Sequence, residues 1–231
     1  MSDSNIMRGR EARKLIEDRK DKDEQKKVWD EIAEGWSDWR QAPFPEVKKF
    51  IEENVRDPGA VLDIGCGNGR NLIPFAQRGF KCYGIDFSPK MIKLAREFFE
   101  RKKLSANFKV ANAVKIPFKS EFFDYCISTA VIHHLQTDKE RREALLGIRR
   151  VLKEGGKALL MVWNKYGIGN WNLMLKPKET YIPWRRKGKT YWRYYYLFNF
   201  FEFKRLVEEC GFKIISSGGI FDRNIMFVVK K

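Results

Sequence analysis

The feature that most constrains the fold is an apolar run that leads into three closely spaced glycines. The run AVLDIG continues into DIGCGNG, residues 63–69, in which every second residue after Asp63 is glycine. A buried strand followed by such a loop lets a ligand approach bare backbone at the start of a helix. The next apolar run, KCYGID, ends in Asp86, where a carboxylate can accept hydrogen bonds from ribose hydroxyls. Together these segments predict a nucleotide-type cofactor site.

Strand-like and helix-like segments alternate along the rest of the chain. The segments NFKVANA, FDYCISTAV and KALLMVW read as strands, and SPKMIKLAREFFERKK and DKERREALLGIRRVL read as helices, the first capped by Ser88. After these come a helix, FNFFEFKRLVEECG, and two late strands, FKIISSG and IMFVVK. The alternation predicts an α/β fold with a parallel, doubly wound sheet and the late strands appended. The length predicts one domain over residues 28–231, after a charged arm or helix over residues 1–27.

The charge of the chain points to a polyanionic partner. The formal net charge is +16, and residues 164–193 hold eight Lys or Arg against one acid, together with six aromatic residues. Interleaved cations and rings are typical of surfaces that bind single-stranded nucleic acid. Alternatively, the rings pack this basic insert onto its own domain.

The cysteines and the hydropathy favour a cytoplasmic protein. The four cysteines form no CxxC pair, which favours packed, reduced thiols over disulfides or zinc ligands: Cys66, Cys82, Cys126 and Cys210. No apolar run is long enough for a membrane span, and we expect neither a metal site nor a membrane partner.

The glycine loop and its acidic companion resemble those of the class I S-adenosylmethionine-dependent methyltransferases, whose first motif, E/DxGxGxG, is DIGCGNG here. The resemblance implies a Rossmann-like, doubly wound, seven-stranded sheet, mostly parallel with an antiparallel strand near the C-terminus, and S-adenosyl-L-methionine as cofactor. In this family the glycines line the methionine portion, the acid after the second strand binds the ribose, and its neighbour borders the adenine. Asn112 stands where the family usually has Asp, but its carbonyl oxygen could still accept from the adenine amine. The cofactor-binding residues implied here are Asp63, Gly65, Gly67, Asn68, Gly69, Asp86, Phe87, Asn112, Ala113 and Thr129.

A narrower resemblance covers roughly residues 27–231. The segments VWDEIAEGWSDWRQAPFPEV, VIHHLQTDKERREAL, RVLKEGGKALLMVW and RYYYLF are similar to the tRNA wobble-uridine methyltransferases. That family converts 5-carboxymethyluridine at the first anticodon position into its methyl ester, either as a free enzyme or as a domain fused to an AlkB-type oxygenase. The resemblance implies tRNA as substrate and a small zinc-binding activator protein as partner.

An acceptor of this kind changes what the pocket residues must do. A carboxylate with a pKa near 4 is ionised at neutral pH, so methyl transfer to it needs positioning and no general base. Arginine binds a carboxylate through two parallel hydrogen bonds, and Arg40 matches the family's pocket arginine. The candidate acceptor-positioning residues are Arg40, His134, Trp163, Arg193 and Asn224.

Both histidines of the chain are adjacent, His133 and His134. Side chains that follow one another along a strand point to opposite faces. We therefore expect His134 to face the acceptor as a hydrogen-bond donor and His133 to pack against the sheet.

Two other functions fit parts of the sequence. A class I methyltransferase acting on a small molecule would share every cofactor feature, but it would not account for the basic, ring-rich insert. A non-catalytic RNA-binding subunit would account for the insert, but not for an intact glycine loop with Asp86.

Overall fold

The computed structural model describes residues 22–231, with side chains from residue 24 onward. Most of the predicted charged arm 1–27 therefore lies outside the described residues. The first described helix, Lys22–Asp38, runs without a break through position 27. No change of secondary structure marks the boundary predicted there.

The described residues form nine strands and seven α-helices. The strands are β1 (Ala60–Ile64), β2 (Lys81–Asp86), β3 (Asn107–Val110), β4 (Phe123–Thr129), β5 (Leu152–Trp163), β6 (Glu179–Arg186), β7 (Lys189–Tyr196), β8 (Lys213–Ser217) and β9 (Asn224–Lys230). The helices are α1 (Lys22–Asp38), α2 (Pro45–Asn54), α3 (Ile73–Ala76), α4 (Pro89–Arg101), α5 (Asp138–Val151), α6 (Trp171–Met174) and α7 (Phe200–Glu209). Single 3₁₀ turns cover Arg70–Leu72 and Ile132–His134. Along this part of the chain, no helix is long and apolar enough to cross a bilayer.

Seven strands form the central sheet, in the order β3-β2-β1-β4-β5-β9-β8. Strands β1 to β5 pair in parallel, whereas β9 runs antiparallel to both of its neighbours. The predicted Rossmann-like, seven-stranded architecture is confirmed. The direction of strand order reverses between β1 and β4, and parallel α/β sheets bind their ligands at the carboxyl ends of strands beside such a reversal.

Successive residues along the strands separate the core into two layers. Val61 and Leu159 face a cluster built on α2, α3 and α4, whereas Leu62 and Leu160 face a cluster built on α5 and α7. Because both faces of the sheet are covered, its central strands are mostly apolar. All four cysteines are free and buried in these layers, as predicted.

Local capping explains where the helices flanking the site begin. The Ser88 hydroxyl accepts from the Met91 N–H at 3.1 Å, as the sequence predicted for α4. Helix α5 begins with a capping box in which Thr137 and Glu140 satisfy each other's backbone N–H groups. These caps fix the loops that precede the two helices, and both loops border the site.

The basic insert contains a second, two-stranded sheet that the sequence analysis did not predict. Strands β6 and β7 pair antiparallel around the two-residue turn Lys187-Gly188, whose φ angles of 48° and 74° are those of a primed hairpin turn. The side chain of Gln25 on α1 accepts from the Tyr194 N–H at 2.9 Å and donates to the Trp192 carbonyl at 3.2 Å. The outer edge of β7 is thereby attached to α1, and the hairpin lies over the carboxyl ends of the sheet strands.

Candidate active site

A cavity of about 900 Å³ lies at the carboxyl ends of β1, β2, β4 and β5, between the sheet, α1 and the hairpin. Residues from distant parts of the chain meet there, because each parallel strand delivers its following loop to the same edge. Twelve of the predicted site residues line it: Arg40, Gly65, Gly67, Asp86, Phe87, Asn112, Ala113, Thr129, His134, Trp163, Arg193 and Asn224.

Three predicted residues lie beneath the cavity surface instead. Asp63 and Asn68 are completely buried. The Asn68 amide donates to the Ser37 hydroxyl at 2.9 Å and to the Arg40 carbonyl at 2.8 Å, so it connects the glycine loop to the end of α1. Beside Gly69, the ring of Phe108 lies 3.0 Å from where a Cβ would stand. Gly69 is not among the residues that line the cavity, and aromatic packing occupies the side of the loop where its Cβ would stand; its role toward the cofactor stays a prediction.

Asp86 is the central carboxylate of the glycine-loop end. One of its oxygens accepts from the Gly67 N–H and the other from the Ser88 N–H, both at 2.9 Å. Burial raises the pKa of this carboxyl to about 6, against the lowering effect of the two backbone donors. The carboxylate is thus held rigidly at the cavity wall, with lone pairs left for further donors.

Asp63 is a second carboxylate at this end, and no hydrogen bond among the described residues offsets the cost of its burial. Neither of its oxygens has a hydrogen-bond partner among the described residues. Burial, and then the charge of Asp86, raises its pKa well above the usual range, while Arg70 opposes this effect. Asp63 therefore lies behind the cavity wall with its ionised form disfavoured, whereas Asp86 lines the cavity and fits a ligand that carries positive charge or ribose hydroxyls, as S-adenosylmethionine does.

The remaining predicted cofactor residues form the wall beyond Asp86. Phe87 follows the end of β2, and Asn112 and Ala113 follow the end of β3. The Asn112 side-chain oxygen accepts from the Val114 N–H at 3.1 Å, so one of its lone pairs already closes an Asx turn. The Thr129 hydroxyl at the end of β4 accepts from the Asn71 amide at 2.9 Å.

Two arginines dominate the opposite end of the cavity. Arg40 lies in the loop that follows α1, and Arg193 comes from β7. Burial, and then the charge of Arg193, lowers the pKa of the Arg40 guanidinium. No carboxylate among the described residues lies within salt-bridge distance of either one. Arg193 is only 6% exposed, and its Nε has no hydrogen-bond partner in that part of the chain. Two adjacent, unpaired guanidinium groups create a strong site for an anion.

Aromatic rings hold these guanidinium groups in place. Arg40 lies over the rings of Trp36 and Trp184, at 4.9 and 5.3 Å from their centroids, and Arg193 lies 5.2 Å from that of Trp184. Arg193 also donates to the Tyr195 hydroxyl at 2.9 Å. The Tyr195 ring stacks on Trp163, with centroids 4.5 Å apart and planes 25° apart. The rings restrict the positions of the guanidinium groups but leave their positive charge in place, because an aromatic ring attracts a cation through its quadrupole and carries no net charge.

The two histidines do not point to opposite faces as predicted. Both line the cavity, and their ring centroids lie 4.5 Å apart. The reason is that Ile132–His134 forms a 3₁₀ turn, so the alternation of an extended strand does not apply. His133 accepts from the Trp163 N–H at 3.0 Å, which anchors the turn to the end of β5.

The expected donor role of His134 stays a prediction, and the hydrogen bond that its ring makes does not favour it. Its Nδ1 lies 2.8 Å from the Tyr194 carbonyl, which can only accept, so Nδ1 carries the proton. Burial lowers the pKa of His134 to about 3, and the ring is therefore neutral at physiological pH. Its Nε2 is left as an acceptor for a donor group in the cavity.

Asn224 begins β9 directly opposite Trp163 on β5. Its amide nitrogen lies 3.5 Å from Glu46 Oε1. Within the described chain, no three His, Cys, Asp or Glu side chains gather as metal ligands.

Sequence reasoning missed the rings that surround the arginines, above all Tyr195, Trp36 and Trp184. A signal for two of them was available. Trp184, Arg193 and Tyr195 lie on one face of the hairpin, as the period of two along β6 and β7 requires. Recognising Lys187-Gly188 as the turn would have placed these three side chains together.

Residues 62–160 match the family model described as a methyltransferase domain. The chain is 30% identical to the tRNA (carboxymethyluridine(34)-5-O)-methyltransferase of Schizosaccharomyces pombe, over 87% of this chain and 93% of that protein. The chain belongs to the tRNA (carboxymethyluridine(34)-5-O)-methyltransferase family. Proteins of that name from Xenopus tropicalis and Arabidopsis thaliana are 38% and 37% identical over 59% of this chain. The matched region covers 20% of the length of the first protein and 32% of the second.

Solved structures agree with this family in fold. A methyltransferase of Methanosarcina mazei that depends on S-adenosylmethionine has a TM-score of 0.68 at 23% identity, covering 82% of this chain and 98% of that one. A Haloferax volcanii methyltransferase in complex with the Trm112 methyltransferase activator has a TM-score of 0.65 at 16% identity, over 89% and 95%. This chain is thus an S-adenosylmethionine-dependent methyltransferase.

Proposed function

We propose that this chain transfers a methyl group to the carboxylate of 5-carboxymethyluridine, or of a closely related uridine, at the wobble position of tRNA. The observation that carries the proposal is the pair of guanidinium groups of Arg40 and Arg193, without carboxylate partners among the described residues, inside a cavity whose other end is lined by the carboxylate of Asp86. An anionic acceptor and a cationic donor match the charges of these two ends.

The acceptor carboxylate needs no proton removed before it reacts. Its oxygen forms the new bond to carbon, and S-adenosylmethionine, when bound, supplies that methyl carbon as an electrophile and keeps the bonding electron pair on sulfur. The low pKa of His134, about 3, makes its imidazole a weak base, which agrees with a reaction in which no base is required. The chain's own contribution is to hold the oxygen in line and to keep water away.

Individual roles follow from the side chains. Arg40 and Arg193 bind the carboxylate, and Trp163 offers a ring for the uracil to stack on. His134 Nε2 accepts from the imino N–H of the uracil, and Asn224 contacts its polar edge. In the cofactor half, Asp86 accepts from the ribose hydroxyls, Gly65 and Gly67 border the methionine portion, and Phe87, Asn112 and Ala113 border the adenine.

The partners in this proposal are tRNA and a small activator protein. The net charge of +7 over residues 164–193 favours an RNA ligand. The activator, and its zinc, follow from the family resemblance alone; the Haloferax volcanii methyltransferase of the same fold is in complex with such an activator. Four free, buried cysteines favour the cytoplasm as the compartment.

The test is nucleoside mass spectrometry of tRNA that carries carboxymethyluridine. The tRNA is incubated with the protein, the activator and isotopically labelled methyl donor, and then digested. We expect the label in the methyl ester of carboxymethyluridine, and Asp86→Ala as the matched inactive control. Labelling of a small carboxylic acid but not of tRNA would replace this function with that of a small-molecule methyltransferase.

A further inference from the structure

Two loop segments form one surface at the edge of the cavity, which we name the rim platform (residues 164–175 and 220–223). The Ile168 N–H donates to the Phe221 carbonyl at 2.8 Å. The buried side chain of Asn164 donates to the carbonyls of Ile220 and Asp222, at 2.8 and 2.9 Å. The two segments are thus joined through their backbones.

Buried hydrogen bonds and close backbone packing hold the two segments of the rim platform together. Asn170 is also buried, and it donates to the carbonyls of Asn164 and Arg223, both at 2.8 Å. At Gly167 a Cβ would lie 2.4 Å from the Asp222 carbonyl oxygen, so only glycine permits this approach of the two segments. A surface held in this way loses little conformational entropy when it binds a ligand.

Large apolar side chains on the rim platform face solvent. Trp171 is 71% exposed, Ile168 69%, Phe221 63% and Leu175 92%. Single exposed apolar residues are ordinary, but a concentration of them in two short, joined segments marks an interaction surface.

Cations accompany these apolar groups. No carboxylate among the described residues lies within salt-bridge distance of Lys165 or Arg223, or of Lys176, which directly follows the first segment of the rim platform. The one acid of the rim platform, Asp222, accepts from the Gly219 N–H at 2.7 Å and so points back to its own turn. Rings interleaved with unpaired cations are the combination that binds single-stranded nucleic acid.

The position of the rim platform decides between an RNA and a protein partner. Asn170, Asn172 and Arg223 belong to the rim platform and also line the cavity. An RNA chain whose uridine enters the cavity must run over its edge on both sides, because the neighbouring nucleotides are covalently attached. A protein docked on the same residues would instead obstruct the way in.

We propose that the rim platform binds the nucleotides that flank the target uridine in the anticodon loop. Trp171 and Phe221 stack on their bases, and Lys165, Lys176 and Arg223 contact their phosphates. This inference rests on the proposed function, since it presupposes that the acceptor is a base in an RNA chain.

The test compares Trp171→Ala/Phe221→Ala with Phe201→Ala, a control on α7 that is 66% exposed. With the activator present, we expect the KM for tRNA to rise about tenfold in the double variant, because stacking contributes to RNA affinity. We expect kcat at saturating tRNA, cofactor affinity by calorimetry and thermal stability to match those of the control. Trp171→Phe keeps a ring and should restore most of the tRNA affinity.

Each other outcome has a defined meaning. An unchanged KM for tRNA in the double variant, with active wild-type protein, overturns the inference and leaves the proposed function intact. Loss of the activator in a pull-down, with unchanged tRNA affinity, also overturns it and makes the rim platform a protein-docking surface. Wild-type protein that does not methylate tRNA overturns the proposed function itself. As an independent measurement, 4-thiouridine placed beside the target uridine should crosslink to residues 164–175 or 220–223.

Discussion

The two ends of the cavity are built from opposite charges and from different parts of the fold. At one end the carboxylates of Asp63 and Asp86 belong to β1 and β2 of the sheet. At the other end the guanidinium groups of Arg40 and Arg193 come from the loop after α1 and from the hairpin, which lie outside the sheet. The difference teaches that the shared fold supplies the site for the cationic methyl donor, whereas added elements supply the site for the anionic acceptor.

Neither end is neutralised by the protein itself. Asp63 lacks any hydrogen-bond partner among the described residues, and the arginines lack carboxylate partners there. On the outer helices, by contrast, lysines pair with glutamates four residues away, as Lys93 does with Glu97 at 3.9 Å. Inside the cavity, the charges of Asp86, Arg40 and Arg193 are thus left for ligand groups of opposite charge.

Among the variants that test the division of the cavity into two ends, Asp86→Ala should have the largest effect. We expect cofactor affinity to fall about a hundredfold or more, because hydrogen bonds to an ionised, buried carboxylate are among the strongest in proteins. Calorimetric titration with S-adenosylhomocysteine measures the effect, and Asp57→Ala, in an exposed loop, is the control. Retention of near-wild-type affinity would remove Asp86 from the donor end.

A smaller effect should follow from Arg40→Ala, which acts on the other end alone. We expect kcat/KM for tRNA to fall about tenfold to a hundredfold, because the remaining guanidinium of Arg193 holds the carboxylate less well. Cofactor affinity should stay at the wild-type value, and Arg205→Ala on α7 serves as an exposed control. Equal losses of cofactor affinity in Arg40→Ala and Asp86→Ala would contradict the division into two ends.

Acidification should weaken only the carboxylate end, and by the smallest amount. The pKa of Asp86 is about 6 in the ligand-free protein, and ribose donors lower it because they favour the ionised form. The free protein then holds a proton that the complex releases, so cofactor affinity falls as pH drops through 6. Between pH 7 and about pH 5.5 we expect a loss of roughly fourfold by calorimetry.

A matched variant checks the origin of this pH dependence. Asp86→Asn cannot titrate, so its weaker cofactor affinity should be flat over the same interval. An equally steep dependence in Asp86→Asn would assign the proton to another group.

The sequence predicts the donor end better than the acceptor end, and the reason is local. Around Asp86 the strand, the loop and the cap at Ser88 are adjacent in sequence, so short-range patterns place them correctly. Arg193 and Tyr195 reach the cavity only because a hairpin folds over the sheet, and the sequence analysis predicts no strands on either side of Lys187-Gly188. The tautomer of His134 depends on the Tyr194 carbonyl, sixty positions away along the chain, so local sequence does not determine whether its free nitrogen donates or accepts.

The buried amide of Asn68 links the two ends more directly than the sheet does. The Asn68 side chain, in the glycine loop, donates hydrogen bonds to the backbone carbonyl of Arg40 and to the hydroxyl of Ser37. The Asn68 amide therefore helps to fix the spacing between the glycine loop and the segment that carries Arg40, together with the Arg70 and Asn71 side chains, which bond to the backbone of Ala42 and Phe44. A shift of the glycine loop when the cofactor binds would therefore also move the backbone of Arg40. A variant enzyme for a longer or shorter carboxylic acid would need a changed contact at Asn68.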